Sequence, residues 1–200
     1  MERKRRRNKS WLLVIGSLIF LCGASLVFYD YYSNKRIESQ EELAIEEFYE
    51  EETIIDSTPE PQETKEVEEQ INYIAILKIP KINLERGLVD PNSYLNNVKY
   101  NLQWIEGSSM PDQVNGNVII AGHSGSARVS YFRKLDQLVI GDSVSLDYKN
   151  KTYKYKVVDI YDIEKTGTAE IIKNKNTTTL TLITCRHNSN KQIIIICELV

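Results

Sequence analysis

Residues 177–200 read TTTLTLITCRHNSNKQIIIICELV: two apolar runs of strand length, TLTLIT and IIIIC, joined by the polar linker RHNSNKQ. Runs this rich in Thr, Ile and Leu and bounded by Asn, Ser and Lys predict β-strands. The first run alternates up to Cys185, which sets that thiol at the mouth of a strand. The second, 193–196, is continuously apolar and predicts a strand covered on both faces or nearly so. The same texture recurs upstream in INYIAILKIP (71–80), NGNVIIAG (115–122), DSVSLDYKN (142–150) and KTYKYKVVDIYDI (151–163). Residues 148–152 predict a hairpin turn, and 130–138, with Tyr131, Phe132 and Leu135, predict one short helix. Many short strands with few helices argue for a mainly β barrel or sandwich.

That texture begins near Ile71, and the first seventy of the 200 residues are built differently. The net charge of -3 hides three unlike blocks that largely cancel. Residues 1–9 carry six Lys/Arg against Glu2, residues 38–70 carry fourteen Asp/Glu against Lys65, and residues 71–200 carry sixteen Lys/Arg against twelve Asp/Glu. The one dense basic cluster directly precedes an apolar run, which positive-inside logic explains and phosphate binding does not; nucleic acid is not an expected partner.

The run WLLVIGSLIFLCGASLVFY (11–29) is nineteen residues without a charge, and roughly 20 helical residues span a bilayer core. Aromatic residues continue to Tyr32, as suits a membrane interface, and this favours an uncleaved signal anchor over a cleaved peptide. The expected organisation is a cytoplasmic basic tail (1–10), a transmembrane anchor (11–32), an acidic extracellular stalk (33–70) and a β domain (71–200). Like-charge repulsion and Pro59 and Pro61 disfavour a packed core in the stalk, although helical spacing of Leu43, Glu46 and Glu47 allows a solvated helix.

Three cysteines and two histidines carry the reactive chemistry. Cys22 lies in the apolar run and Cys197 ends the strand IIIIC, so both read as packing residues. Cys185, beside Arg186, is a candidate nucleophile, because nearby positive charge favours the reactive thiolate; a disulfide with Cys197 is the competing reading for an exported protein, and the scattered cysteines and two histidines lack the paired spacings of a zinc site. His123, in NVIIAGHSGS, follows an apolar strand between Gly122 and Gly125, where an imidazole can be held exposed as a general acid or base. His187 reads as a solvated loop residue.

TLITC together with IIAGHS resembles the sortase family of membrane-anchored cysteine transpeptidases. ILKIPKINL looks like the family's opening strand, GSSMPDQVNGNVIIAGH like the approach to its histidine, and FRKLDQLVIGDSVSL like the segment after it. The resemblance spans residues 74–199. It implies a closed eight-stranded sortase-type β-barrel with one or two short helices. Cys185 would then attack the Thr-Gly bond of an LPXTG-like sorting signal on a surface protein, and an amine of a peptidoglycan precursor, or another amine acceptor, would displace the thioester. His123 would shuttle the proton, with no cofactor and no metal.

The family pattern places an arginine at the start of the last strand, where this chain has Gln192; Arg186 is the rival donor for the oxyanion. The stalk lacks the family's Asp-Pro-aromatic lid, the chain stops at Val200 and the 157–177 stretch is short, so the resemblance points to a small, non-pilus type. The competing expectation is a stalked, membrane-anchored barrel that binds cell-wall or peptide ligands without catalysis.

Overall fold

The computed structural model describes residues 3–53, 71–166, 171 and 176–200. Residues 54–70 of the expected stalk, and 167–170 and 172–175 within the stretch that bore on subclass, lie outside the described residues. The chain divides into two units, Met1–Leu43 and Ala44–Val200. The first is helical from Arg3 onward, part of a helix, α1, that runs Arg3–Thr53. No proline interrupts it, and Leu, Ile, Arg and Glu are good helix formers. Within it Trp11–Ser33, 23 residues, is long and apolar enough to cross a membrane.

The second unit holds eight strands: β1 (Tyr73–Ile79), β2 (Leu84–Val89), β3 (Gln103–Trp104), β4 (Asn117–Ala121), β5 (Ser143–Tyr148), β6 (Lys151–Glu164), β7 (Thr179–Cys185) and β8 (Lys191–Leu199). They form one sheet in the order β2-β1-β5-β6-β8-β7-β4-β3. Every pairing is antiparallel except β4 with β7, which is parallel from Asn117↔Thr179 to Ala121↔Ile183. The β5–β6 hairpin turns on Lys149 and Asn150 at φ 49° and 58°, the left-handed pair that a two-residue type I′ turn requires.

Curling this sheet encloses a core that includes Leu77, Leu102, Trp104, Val118, Ile120, Phe132, Leu146, Tyr155, Leu182 and Ile195. The barrel is nearly closed rather than fully laddered, because β2 and β3 end the strand order without pairing. Side chains span the gap. Trp104 Nε1 donates to Val89 O at 2.9 Å, and Asn101 Nδ2 donates to Gly87 O at 2.9 Å while its Oδ1 accepts from Arg86 Nε at 2.8 Å. Backbone carbonyls on the β2 edge thus find partners that a longer β3 would otherwise supply.

Among the described residues from Ile71 onward, the helices are two short 3₁₀ turns, Pro80–Ile82 and Leu135–Gln137. The helix expected over 130–138 shrinks to the second of these. Phe132 N–H donates to His123 O at 3.0 Å and so leaves no helical ladder to nucleate, while the Arg133 guanidinium donates to the carbonyls of Gly125, Ser126 and Ala127.

The barrel unit begins at Ala44, earlier than the change of sequence texture at Ile71. Ala44 is buried with Tyr73, Ile76 and Val89, and Ile45, Phe48 and Tyr49 pack against the same cluster. A polar knot fixes this contact. Asp147, 6% exposed, accepts from Tyr49 Oη at 2.8 Å and Thr152 Oγ1 at 2.7 Å, and pairs with Lys78 Nζ at 2.9 Å. Desolvation pushes the Asp147 carboxyl up, but the donors Thr152, Lys78 and Tyr49 outweigh it and hold the group below the ordinary carboxylate range. Burial and Asp147 together push the Tyr49 phenol up to about 12, against the opposing pull of Lys78.

Because its folded pKa is depressed, Asp147 contributes stability that is present above its unfolded value of 3.8 and lost as pH falls through the folded one. Asp147→Asn is expected to cost about 1–3 kcal/mol at pH 7, a fall in Tm of roughly 3–10 °C. The gap between the variant and the parent is expected to begin narrowing in calorimetry as pH falls below about 3.8, where the unfolded carboxyl takes up its proton, and to close as the folded carboxyl protonates further down. An equal gap at pH 3 and pH 7 would contradict the carboxylate's role.

Candidate active site

The end of β4 is built tightly. A Cβ at Gly122 would lie 2.6 Å from Leu102 Cδ2 and 2.9 Å from Phe132 Cδ2, so only glycine fits between the strand and the core. Gly122 N–H donates to Ile183 O at 3.1 Å, and Thr184 Oγ1 donates to Gly122 O at 2.7 Å. These bonds carry the β4–β7 pairing past Ala121↔Ile183. The regular pairing stops there, because Gly122 O takes the Thr184 hydroxyl, and the next residue, His123, leaves β4 at the same edge of the sheet at which the parallel β7 ends in Cys185. The His123 side chain is exposed and Cys185 is half-buried. The main chain under the imidazole is held from the other side by the Phe132 N–H bond to His123 O.

The hairpin from β7 to β8 adds the third residue. Cys185 lies opposite Gln192, and Arg186 N–H donates to Lys191 O at 2.9 Å. That bond marks the neighbouring pair as hydrogen-bonded, so Cys185 and Gln192 form a non-hydrogen-bonded pair, the kind whose side chains come closer. Directly opposed residues share a face, and Gln192 therefore stands beside Cys185. Arg186, one residue on, turns to the other face, where its Nε donates to Asp162 Oδ1 at 2.8 Å. Cys185 and Gln192 thus share one face at the sheet edge where the chain leaves β4 for His123, and Arg186 is tied to a carboxylate on the opposite face. His187 is exposed in the loop between β7 and β8, and Lys191 is exposed at the start of β8.

Below that row the same face of the sheet is apolar. One register step down lie Gln103, Ala121, Ile183, Ile194 and Tyr161, and the next holds Ile105, Ile119, Thr181 and Ile196. Ile119, Ile183, Ile194 and Ile196 are buried as a second cluster outside the barrel core. Polar Thr181 is accommodated because its hydroxyl donates to Asn117 Oδ1 at 2.9 Å. A bulge in β6 between Val157 and Asp159 makes this face possible. Tyr153, Tyr155 and Val157 point into the core before it and Ile160 packs there after it, so Tyr161 and Ile163 turn to the outer surface. On the β3 side Gln103 and Ile105 also line an open cavity of about 530 Å³.

The three cysteines are free, which corrects the disulfide alternative for Cys185 and Cys197. Cys197 pairs with Leu180 and Cys185 with Gln192, five positions apart along β7. At about 3.4 Å per residue that is roughly 17 Å, beyond the 7 Å limit between bridged Cα atoms. Burial pushes the Cys197 thiol up to about 12, so it stays protonated in the core. Among the described residues no group of three or more His, Cys, Asp and Glu could hold a metal ion.

Sequence reading passed over Thr184, the bulge at Val158 and the apolar floor. The pattern in TLTLIT was visible, but not that every one of these positions is buried, inward leucines in the core and outward residues beneath the second cluster.

Comparison with known proteins agrees with the fold. The profile of the Sortase domain matches residues 77–200, most of the chain, and the protein belongs to the sortase family. Family and fold together support a transpeptidase. Among solved structures, sortase D5 of Clostridium perfringens superposes with a TM-score of 0.60 at 24% identity, covering 81% of this chain and 99% of that one. Sortase C1 of Streptococcus agalactiae gives 0.58 at 25% identity, covering 67% and 70%. Sortase A of Corynebacterium diphtheriae gives 0.57 at 20% identity, covering 80% and 84%. No curated protein sequence matches the chain.

The contrast between the thiols is testable without any substrate. Iodoacetamide at pH 8, with site-resolved mass spectrometry, is expected to alkylate Cys185 in the native protein, with Cys197 reacting only after denaturation. Labelling of Cys197 at a comparable native rate would contradict the buried thiol.

Proposed function

We propose that the chain is a cysteine transpeptidase that cleaves an LPXTG-like sorting signal and passes the surface protein to an amine on a peptidoglycan precursor or another acceptor. Cys185 Sγ, as thiolate, attacks the carbonyl carbon of the Thr-Gly bond; the C–N bond breaks, and His123 gives its proton to the leaving amine. The acyl group is then a thioester on Cys185. An incoming amine loses its proton to His123, attacks the same carbon and releases the thiolate. Gln192 donates a neutral hydrogen bond to the carbonyl oxygen as negative charge builds there.

The observation that supports this reading is the parallel pairing of β4 with β7, which ends both strands at one edge of the sheet, with His123 two residues past β4 and Cys185 the last residue of β7. The face shared by Cys185 and Gln192 favours the glutamine over Arg186, whose guanidinium is engaged with Asp162. Ile105, Ala121, Tyr161 and Ile163, half-buried at the margin of the isoleucine cluster, suit an extended peptide with apolar side chains. The small, non-pilus type belongs to this proposal too, as does the topology. In that topology the basic tail is inside, Trp11–Ser33 is in the membrane and the barrel is outside.

With a sorting peptide and an amine, Cys185→Ala is expected to abolish acyl-enzyme formation. His123→Ala is expected to cost about 10²- to 10⁴-fold, and Gln192→Ala at least about tenfold. Arg186→Ala and Cys197→Ala are expected to stay near the parent. Turnover retained in Cys185→Ala would end the proposal, and a crippled Arg186→Ala beside a silent Gln192→Ala would move the oxyanion donor. Protease added to wall-stripped cells is expected to release a soluble barrel fragment; protection of the barrel would reverse the topology.

A further inference from the structure

We propose that Thr184 is a positioning residue that holds His123 at a fixed distance from Cys185 by clamping the carbonyl of Gly122. The inference rests on the acyl-transfer reading above and adds the part that keeps its two reacting groups together. Thr184 is 3% exposed, and its partner in the β7–β8 register is Ile193, which belongs to the barrel core. Its side chain therefore lies on the opposite face from Cys185, under the site, and touches no substrate.

The Thr184 hydroxyl donates to Gly122 O at 2.7 Å, the shortest link between the β4 exit and β7. The other is Gly122 N–H to Ile183 O at 3.1 Å. Gly122 immediately precedes His123, and Thr184 immediately precedes Cys185. The clamp thus joins the two strands one residue before each reacting group, at the point where regular pairing has ended at Ala121↔Ile183. Gly122 cannot shift inward, because Leu102 and Phe132 fill the space a Cβ would need. Outward movement is what the hydroxyl prevents. Without it, Gly122 keeps one bond to β7, and the chain carrying His123, held otherwise through Phe132 N–H and not through β7, can draw away from Cys185. Proton transfer between an imidazole and a thiol, or an amine bound at that thiol, needs heavy atoms within about 3 Å, so a splay of 1 Å costs rate without weakening the peptide floor.

The test uses the full-length chain in detergent with a fluorogenic Leu-Pro-x-Thr-Gly peptide and triglycine as the amine. Thr184→Val keeps the volume and removes the donor; Thr184→Ser keeps the donor. Thr184→Val is expected to lower kcat about 10- to 100-fold with KM within about twofold, and Thr184→Ser to return kcat to within about threefold of the parent. In a His123→Ala background, Thr184→Val is expected to add less than about twofold, because the alignment it protects is already gone. An undiminished loss in that background, or parent-level kcat in Thr184→Val, overturns the clamp. If Thr184→Val fails to fold, Thr184→Ala against Thr184→Ser carries the same comparison. A second readout, the pH dependence of Cys185 alkylation by iodoacetamide, needs no substrate. Thr184→Val is expected to move that profile toward the His123→Ala profile, and a profile left at the parent's while His123→Ala moves it overturns the clamp. If His123→Ala changes neither turnover nor profile, the acyl-transfer reading itself has failed.

Discussion

The parallel pairing of β4 with β7 is the constraint from which the candidate site follows. Antiparallel neighbours end at opposite edges of a sheet, so a hairpin cannot place the residues following both strands side by side. A parallel pair sends both chains out of the same edge. Here that edge receives His123 and Cys185, sixty-two residues apart in sequence, and the next hairpin folds Gln192 back beside the thiol. Gly122 and Thr184 sit at the junction, one leaving no side chain to wedge the strands apart and the other supplying a hydrogen bond across them.

A sheet that serves a core on one face and a site on the other must bury both. In β8 the residues Ile193 and Ile195 join the barrel core while Ile194 and Ile196 lie in the second cluster, which is why the run IIII carries no polar alternation. The bulge in β6 re-aims Tyr161 and Ile163 toward that second face without breaking the strand. The two cysteines of the barrel show what the partition does to chemistry. Cys197 points into the core, where desolvation keeps its thiol protonated, and Cys185 stands half-buried at the rim of the other face.

The start of the barrel unit is an arrangement of a different kind. Ala44, Ile45, Phe48 and Tyr49 bring an apolar helical stripe to the β1–β2 side, and Asp147 accepts the Tyr49 hydroxyl there. A buried carboxylate is costly unless its oxygens are met by donors, and Tyr49, Thr152 and Lys78 meet them. An acidic stretch that reads as solvated stalk thus contributes part of the folded unit.

Much was legible from local pattern alone. The apolar runs that became β1, β4, β5, β6, β7 and β8 carry their own β-propensity, and the polar stretch 148–152 between two of them marked a hairpin turn, in which Asn150 tolerates a positive φ more readily than Lys149 does. His123 and Cys185 stood out because each follows a strand and is followed by turn residues. β2 was not legible, since LERGLV breaks alternation with Glu85 and Arg86; burial of Arg86 is supported by Asn101, which accepts its Nε, and by the Tyr131 ring 4.0 Å from its guanidinium. β3 is two residues long and exists only because β4 pairs with it. Nor could composition distinguish Gln192 from Arg186 as the neighbour of Cys185, because that depends on which face each presents. Periodicity along one strand records the alternation of its own side chains, whereas register, strand order and bulges are set by contacts between residues far apart in the chain, and these decided what stands beside the thiol.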